Sequence, residues 1–490
     1  MNPRSNVPRV GGLGSEELAE KQARRAEQVV PAYKLFLKRT PLPKNSGFRK
    51  RPLTDKTSYI AAYEFPKLLA DNYERTFTIF RSSGSSGRPA YWPQLKDDHA
   101  ASIAELRAFL ERVFSINRSK TVAIVGLSLG SWIGGEHMAW ALKTLAMSTP
   151  YPFTVFAPGN QYDEIIEMIR GVDPFVDQVL LLLCPSAIAH LLLRAEESGR
   201  PLSLKKLRYL VLGEAFPESL RVSLLRRTGV GRQIPLLFSV YGSADTGILG
   251  VESPASVALR QLCVSEPELA ASLEIGPVVP HFFHFAARET FVEDVGGELC
   301  VTKWQGIPLI RYNLHDRVRL YRWKTVRESL LCSERMAPEA AGLKALIAAA
   351  GDGLPDLVAV EGRADSSLIL CGTNLTEAML DNAVKCKELE KLLSGAYQAS
   401  IQYEGERQFL AFELECRPKV PIGEPLVRTI YRELVQSLGR VQPEFLKDWQ
   451  NVFHVWDADP EKRVVQIRCL PWPTLSQKLG KQVKLRGIKR

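Results

Sequence analysis

The sequence predicts an α/β protein, a large N-terminal part with a mostly parallel sheet and a β-rich subdomain, followed by a small α+β unit. Three observations predict it. Continuous apolar runs at QVLLLLC (178–184), LRYLVLG (207–213) and IPLLFSVYG (234–242) have the pattern of strands buried on both faces, and helical stretches such as AIAHLLLRAEE (187–197) separate them. Past about residue 275 the texture turns short, charged and β-rich (GELCVTKW, IPLIRYNL, DRVRLYRW), which implies an antiparallel subdomain. From Gly362 onward LIL, a helix from Thr376, ASIQYEG, FLAFELEC, a helix from Glu424 and a final strand form an α+β pattern, so the chain divides into 1–361 and 362–490.

The elements follow in order. Residues 15–30 read as a charged helix, and Pro and Gly punctuate the chain up to Pro52. The strand-like FTIF (77–80) leads directly into the loop SSGSSGRP (82–89). Asp97 and Asp98 precede a helix whose Ile103, Leu106, Leu110 and Val113 share one face. TVAIV (121–125) is a strand, and a helix runs from Trp132 to Leu145. PESLRVSLLRR (217–227) is a further helix, and the Ala- and Gly-rich segment 325–356 is helical.

Length and composition bound the function. At 490 residues, two or three domains are expected. No apolar run approaches the roughly 18 residues of a membrane span, and the N-terminus lacks an apolar signal core. Eight scattered cysteines without a C-x-x-C pair exclude a zinc ribbon or a disulfide framework and fit a reducing cytoplasm. The formal charge of +10 admits nucleic acid, phosphorylated ligands or an acidic protein, but no nucleic-acid-binding motif accompanies it. A solvated basic surface is the plainer reading.

Several short motifs carry chemistry. In the loop from Ser82, Ser83 and Gly84 through Ser85, Ser86 and Gly87 to Arg88, glycines and hydroxyls after a strand let backbone and side-chain donors approach an anion. The G-K-[ST] ending of a P-loop is absent. GLSLG (126–130) fits a hydrolase nucleophile elbow with Ser128 at its centre; a small-residue turn is the competing reading. YGSADTG (241–247) ends a buried strand with Tyr241, Gly242, Ser243 and Asp245, where ligands dock on parallel sheets and a carboxylate can hold Mg²⁺. RYNLHD places Asp316 after a strand, and GRADSSLILCG joins Arg363 and Asp365 at the domain boundary.

Taken in order, these motifs resemble the adenylate-forming superfamily, in its phenylacetate–CoA ligase-like branch, which includes acyl-protein synthetases. GELCVTKWQGIPLIRYNLHDRV is similar to that branch's G-E-L-V-x-T…P-x-I-R-Y-x-x-x-D signature, and GRADSSLILCGTNL to its G-R-x-D-D-x-x-x-x-x-G-x-N. The resemblance implies ATP-dependent activation of a carboxylic acid, with the 82–88 loop on the β,γ-phosphates and Asp245 with Mg²⁺. It implies Gly213, Glu214 and Ala215 beside the adenine, Tyr241 stacked on it, and Asp316 and Arg363 on the ribose. It also implies a hinge at Asp365 and a catalytic Lys478, with Lys481 as the alternative. The acceptor implied is CoA or a carrier protein's phosphopantetheine, and the basic balance suits an acidic carrier. Trp132, His137, Phe216 and Phe238 are substrate-pocket candidates. Asp245 stands where the family has Glu, and Ser366 where it has a second Asp. An amine or hydroxyl acceptor, a serine hydrolase and a non-catalytic nucleotide-binding relative are the competing readings.

Overall fold

Burial on both faces is what a run such as QVLLLL demands, and Gln178–Leu183 is buried at all six positions. The computed structural model describes residues 7–478, except 42–46, 71–72, 83–89, 131–132, 230–234, 277, 286–288, 333–339, 366 and the side chains of 477 and 478. Five strands lie parallel, in the order Phe153–Phe156, Thr121–Val125, Gln178–Leu183, Leu207–Val211 and Leu237–Ser243. The chain leaves Thr121–Val125, passes through helix Ile133–Ser148 to the edge strand, and returns through helix Tyr162–Val172 to the opposite neighbour, Gln178–Leu183. Strand order therefore reverses at the carboxyl ends of Thr121–Val125 and Gln178–Leu183, the place where open α/β sheets bind ligands.

The β-rich segment continues the same sheet. Leu237–Ser243 turns back antiparallel into Gly247–Val251, and His281–Phe285, Leu357–Arg363, Leu309–Tyr321, Glu298–Lys303, Thr290–Val295 and Gly12–Leu13 complete twelve strands. Helix Glu16–Val29, capped by Ser15, buries Ala19, Gln22, Ala23 and Ala26 against this half. The hairpin of Thr76–Arg81 and Tyr91–Leu95 brackets the Ser/Gly loop. The segment expected to be helical forms Trp323–Cys332 and Ala341–Ala349, which pack with helix Pro254–Ser265.

After the large sheet come a hairpin (Ser367–Leu370, Thr373–Thr376), helix Glu377–Val384 and a three-stranded sheet. In that sheet Leu393–Glu404 pairs antiparallel with Arg407–Cys416, and Val465–Leu470 joins it in parallel. Helices Glu424–Val441 and Pro443–Asn451 complete the unit. Gly362 falls inside the strand Leu357–Arg363, so Arg363 belongs to the large sheet and Asp365 lies just beyond it. One apolar cluster runs from Ile124, Leu181 and Val211 through Leu370, Phe412 and Phe445. No helix among the described residues is long and apolar enough to cross a membrane.

Candidate active site

The tight return between Leu237–Ser243 and Gly247–Val251 places Asp245. A Cβ on Gly242 would lie 2.3 Å from the Gly247 carbonyl oxygen, so only glycine permits the close approach. Ser243 Oγ accepts from the backbone N–H groups of Asp245 (3.2 Å) and Thr246 (3.3 Å). Two side chains grip the turn from outside: Gln305 Nε2 donates to the Asp245 carbonyl at 2.6 Å and Lys303 Nζ to the Thr246 carbonyl at 2.8 Å. Burial lowers the Lys303 pKa, while Asp98 and Glu105 oppose that. The Asp245 carboxylate accepts from Tyr312 OH at 2.6 Å.

Strand pairing supplies the neighbouring group. Asp316 lies opposite Arg363 in the register of Leu309–Tyr321 with Leu357–Arg363, and Arg363 Nη1 donates to Asp316 Oδ1 at 3.2 Å. Tyr241 OH donates to Asp316 Oδ2 at 2.7 Å, and the Tyr241 ring stacks on Phe283 at 5.3 Å. Burial raises the Asp316 carboxyl pKa, opposed by the Arg363 charge. Arg363 also binds Asp365 through two contacts, of 3.0 and 2.5 Å. Tyr241 and Arg363 thus meet at Asp316, Arg363 reaches on to Asp365, and Tyr312 meets Asp245, all on or beside interior strands of the large sheet.

The phosphate-loop candidates Ser83, Gly84, Ser85, Ser86, Gly87 and Arg88 lie outside the described residues, as do Trp132, Lys481 and the Lys478 side chain. Ser82 is described, and Lys56 Nζ donates to its Oγ at 3.3 Å. Beside Lys56, Asp55 faces His315 Nε2 at 3.7 Å, and His315 Nδ1 meets Glu298 at 3.0 Å. These acids raise the His315 pKa, Asp55 most. Lys56, Lys303 and Tyr312 escaped sequence reasoning, because each sits in a segment whose local pattern announces only a strand or a turn.

Among the described residues, no group of three or more His, Cys, Asp and Glu side chains is placed to hold a metal ion. The Asp245 carboxylate, held by Tyr312, is an oxygen donor of the kind Mg²⁺ takes, with water and substrate phosphates completing the metal's shell.

At the strand-order reversal the hydrolase reading fails on geometry. Ser128 Oγ bonds Asp448 Oδ1 at 3.2 Å. All seven histidines are engaged elsewhere: His99 and His137 with each other, His190 with the Ser186 carbonyl, His281 with Glu252, His284 with Ser253, His315 with Asp55, and His454 with the Trp449 carbonyl.

The C-terminal unit closes over this point. Asp448 also accepts from Asn160 Nδ2 (2.8 Å) and Thr373 Oγ1 (3.1 Å), and Lys447 Nζ donates to the Leu129 carbonyl (3.0 Å). Glu214 accepts from the backbone N–H groups of Ser186 (2.7 Å) and Gly372 (3.1 Å), and Tyr403 OH donates to the Ala215 carbonyl at 3.4 Å. Gly372 has φ +84°, and a Cβ there would meet Cys184 Sγ at 2.6 Å. A cavity of about 140 Å³ remains, lined by Ser128, Asn160, Cys184, Gly213, Glu444 and Asp448 among others.

Burial pushes the Glu444 carboxyl up to about 8, with Asp448 adding to it and Lys447 and Arg81 opposing; burial likewise takes Asp448 to about 6. A carboxyl whose pKa is raised on docking favours the docked pose at low pH and loses that contribution as pH rises through the raised value. The docked pose is therefore expected to weaken between pH 5 and 8. Glu444→Gln should flatten the upper part of that dependence. Limited proteolysis between the units across this range checks it, and an unchanged slope in the variant counts against it.

The remaining pocket candidates are packed. His137 lies against His99 and Phe80, with Nε2 3.3 Å from Ser102 Oγ, and burial lowers its pKa to about 4. Phe216 is buried beneath the Arg221 and Arg260 guanidinium groups. Phe238 is buried against Phe114 at 5.5 Å.

No protein-family model and no curated protein matches the sequence. Solved structures do share its fold. A 2-hydroxyisobutyryl-CoA ligase, crystallised with 2-HIB-AMP and CoA in the thioesterification state, matches at TM-score 0.59 and 13% identity, over 97% of this chain and 88% of that one. An acyl acid amido synthetase in complex with 2,4-DB matches at TM-score 0.46 and 13% identity, over 100% and 92%. An amide bond synthetase from Marinactinospora thermotolerans matches at TM-score 0.44 and 12% identity, over 81% and 66%. At such identities the likeness is one of fold, and the fold of this chain is that of the adenylate-forming enzymes.

Proposed function

We propose that the protein is an ATP-dependent ligase that joins an apolar carboxylic acid to AMP and then passes the acyl group to a thiol, on CoA or on a carrier protein's phosphopantetheine. The observation that carries the reading is the pairing of Tyr241 and Arg363 with Asp316, and of Tyr312 with Asp245, on interior strands of the large sheet. A free carboxylate is a poor acyl donor because its leaving group would be oxide. Attack of its oxygen on the α-phosphorus of ATP breaks the bond to pyrophosphate and leaves a mixed anhydride, whose AMP departs when a thiolate attacks the carbonyl carbon.

In this reading Asp316, held by Arg363, accepts the ribose hydroxyls, and adenine lies between Tyr241 and the Gly213–Glu214–Ala215 turn. The 82–88 loop takes the β,γ-phosphates, with Lys56 beside Ser82 adding charge. Asp245 would hold Mg²⁺, which when bound supplies positive charge to the leaving pyrophosphate. Lys478 bridges the carboxylate and the α-phosphate. Residues 1–361 and 362–490 act as two parts hinged at Asp365, and the formal charge of +10 suits an acidic carrier. An amine acceptor draws on a separate observation: Glu444, raised to about 8, lines the cavity between the units and can take the proton an amine sheds.

Carboxylate-dependent exchange of pyrophosphate into ATP is the test. Lys478→Ala is expected to lower the exchange at least about 100-fold and Lys481→Ala to leave it. Absence of exchange across a broad acid panel, in protein that still binds ATP, would sink the enzyme reading. Product analysis with CoA, a loaded carrier protein and a primary amine separates the acceptors.

A further inference from the structure

We infer that Glu415, on the central strand of the small sheet, positions Lys478 and governs the adenylating step through it; for that step this rests on the proposed function. Glu415 is 0% exposed, which its place in the strand does not require. Alternation along Arg407–Cys416 sets Glu413 and Glu415 on the face opposite Phe412, Leu414 and Cys416. Glu413 is half-buried there and meets Arg468 at 3.5 Å. Glu415, opposite Leu470 in the register with Val465–Leu470, is instead covered by the chain that follows that strand.

Past Leu470 the chain turns at Pro471, whose carbonyl accepts the Thr474 N–H at 3.0 Å, and enters the one-turn helix Leu475–Lys478. The first N–H groups of a helix lack intrahelical acceptors. Here Glu415 Oε2 accepts those of Leu475 (2.7 Å) and Ser476 (3.0 Å), and also the Ser476 hydroxyl (3.1 Å). Oε1 accepts from Ser394 Oγ at 2.8 Å, on the neighbouring strand Leu393–Glu404. Burial acts to raise the Glu415 carboxyl, but the Ser476, Ser394 and Leu475 donors outweigh it and hold its pKa below the ordinary value. The helix dipole favours an ionised carboxylate at this end as well.

Four residues do not hold a helix by themselves, since nucleating a single turn is unfavourable. The turn is fixed at its first two residues, by the Leu475 side chain, which is buried, and by the N–H groups bound to Glu415. Lys478 ends that turn, three residues past Leu475. Removing Glu415 frees the backbone that carries the lysine, and a misplacement of about 1 Å costs a reaction on the order of 100-fold.

Pyrophosphate exchange by the full chain, in a double-mutant cycle, tests this. Glu415→Ala is expected to lower the exchange kcat at least about tenfold, with the KM for ATP within about twofold. Glu415→Gln keeps an acceptor for the Leu475 and Ser476 N–H groups and a donor for Ser394, and should stay within about threefold. In the Lys478→Ala background Glu415→Ala should have no further effect, because residues acting as a unit are not additive. Losses that multiply would overturn the positioning role, as would full exchange in Glu415→Ala while Lys478→Ala is impaired. If alanine at 415 unfolds the small unit, Ser476→Pro enters the same cycle with the same expectations. It deletes the N–H and hydroxyl that Glu415 holds, and proline is tolerated in a first helical turn. Hydrogen exchange of the Leu475 and Ser476 amides, measured without substrate, should quicken at least about tenfold in Glu415→Ala. Unchanged protection would equally overturn the assignment. Faster amide exchange, in a protein without pyrophosphate exchange for any acid, supports the anchor and removes the adenylating reading instead.

Discussion

Asp245→Ala is expected to lose acid-dependent pyrophosphate exchange by roughly 10²–10³-fold, the scale seen when one preorganised group facing transition-state charge is removed. The turn that carries Asp245 is held at several points. The Ser243 hydroxyl, Gln305 and Lys303 each bond the backbone of residues 245–246, and Tyr312 orients the carboxylate. A carboxylate fixed in that way pays little reorganisation cost when a cation and phosphates arrive. Asp245→Glu should stay within about tenfold of the natural protein, because a longer carboxylate still supplies the same charge. Titration with Mg²⁺ distinguishes this role from a structural one: loss of exchange with an unchanged Mg²⁺ dependence and unchanged melting would contradict it. Full exchange in the alanine variant would remove Asp245 from the mechanism.

The largest expected effect on stability lies behind the same hairpin. Glu252 is 1% exposed. Its Oε2 accepts from Arg221 Nη2 at 2.8 Å and from the Ser239 N–H at 2.7 Å, while Oε1 lies 3.2 Å from His281 Nδ1. Glu218 completes the group, bonding Arg221 at 2.8 Å and Arg260 at 2.6 Å. Burial acts to raise the Glu252 carboxyl, but Arg221, His281 and Arg260 outweigh it and hold it at about 2. Its contribution is therefore present above the ordinary carboxylate range and lost as pH falls toward 2.

Removing one partner of such a buried pair leaves charge uncompensated, so Glu252→Ala should cost about 3–5 kcal/mol. Urea unfolding at pH 7 measures it, and a loss below about 1 kcal/mol would show the network to be dispensable. Activity should fall with stability, because Ser239 lies on the strand that carries Tyr241.

Much of the fold was legible in the residue pattern. The runs at 178–184 and 207–213 became central strands because a segment apolar at every position has no solvent face to offer. The helix at 96–114 buries Leu106 and Leu110 as their spacing required. The β-rich texture past residue 275 was legible as antiparallel strands. Its union with the parallel strands in one sheet was not, because hydrogen bonding across Leu237–Ser243 and Gly247–Val251 leaves no mark on composition.

The candidate site divides in the same way. Tyr241, Asp245, Asp316 and Arg363 were singled out from their motifs, although Asp316, expected after a strand, lies inside Leu309–Tyr321. Their partners were not: Tyr312 at Asp245, Lys56 at Ser82, and Asp448 at Ser128 and Asn160. The Glu218–Arg221–Glu252–Arg260 network also escaped notice, since charged residues are ordinarily read as surface until packing encloses them.

By itself, then, the sequence determined which segments are strands and helices and which short motifs carry oxygen and nitrogen donors, since both depend on neighbours within a few residues. Tertiary structure alone decided which donors meet and what closes over the strand-order reversal. Those outcomes depend on close packing between residues hundreds of positions apart, and no local pattern encodes them.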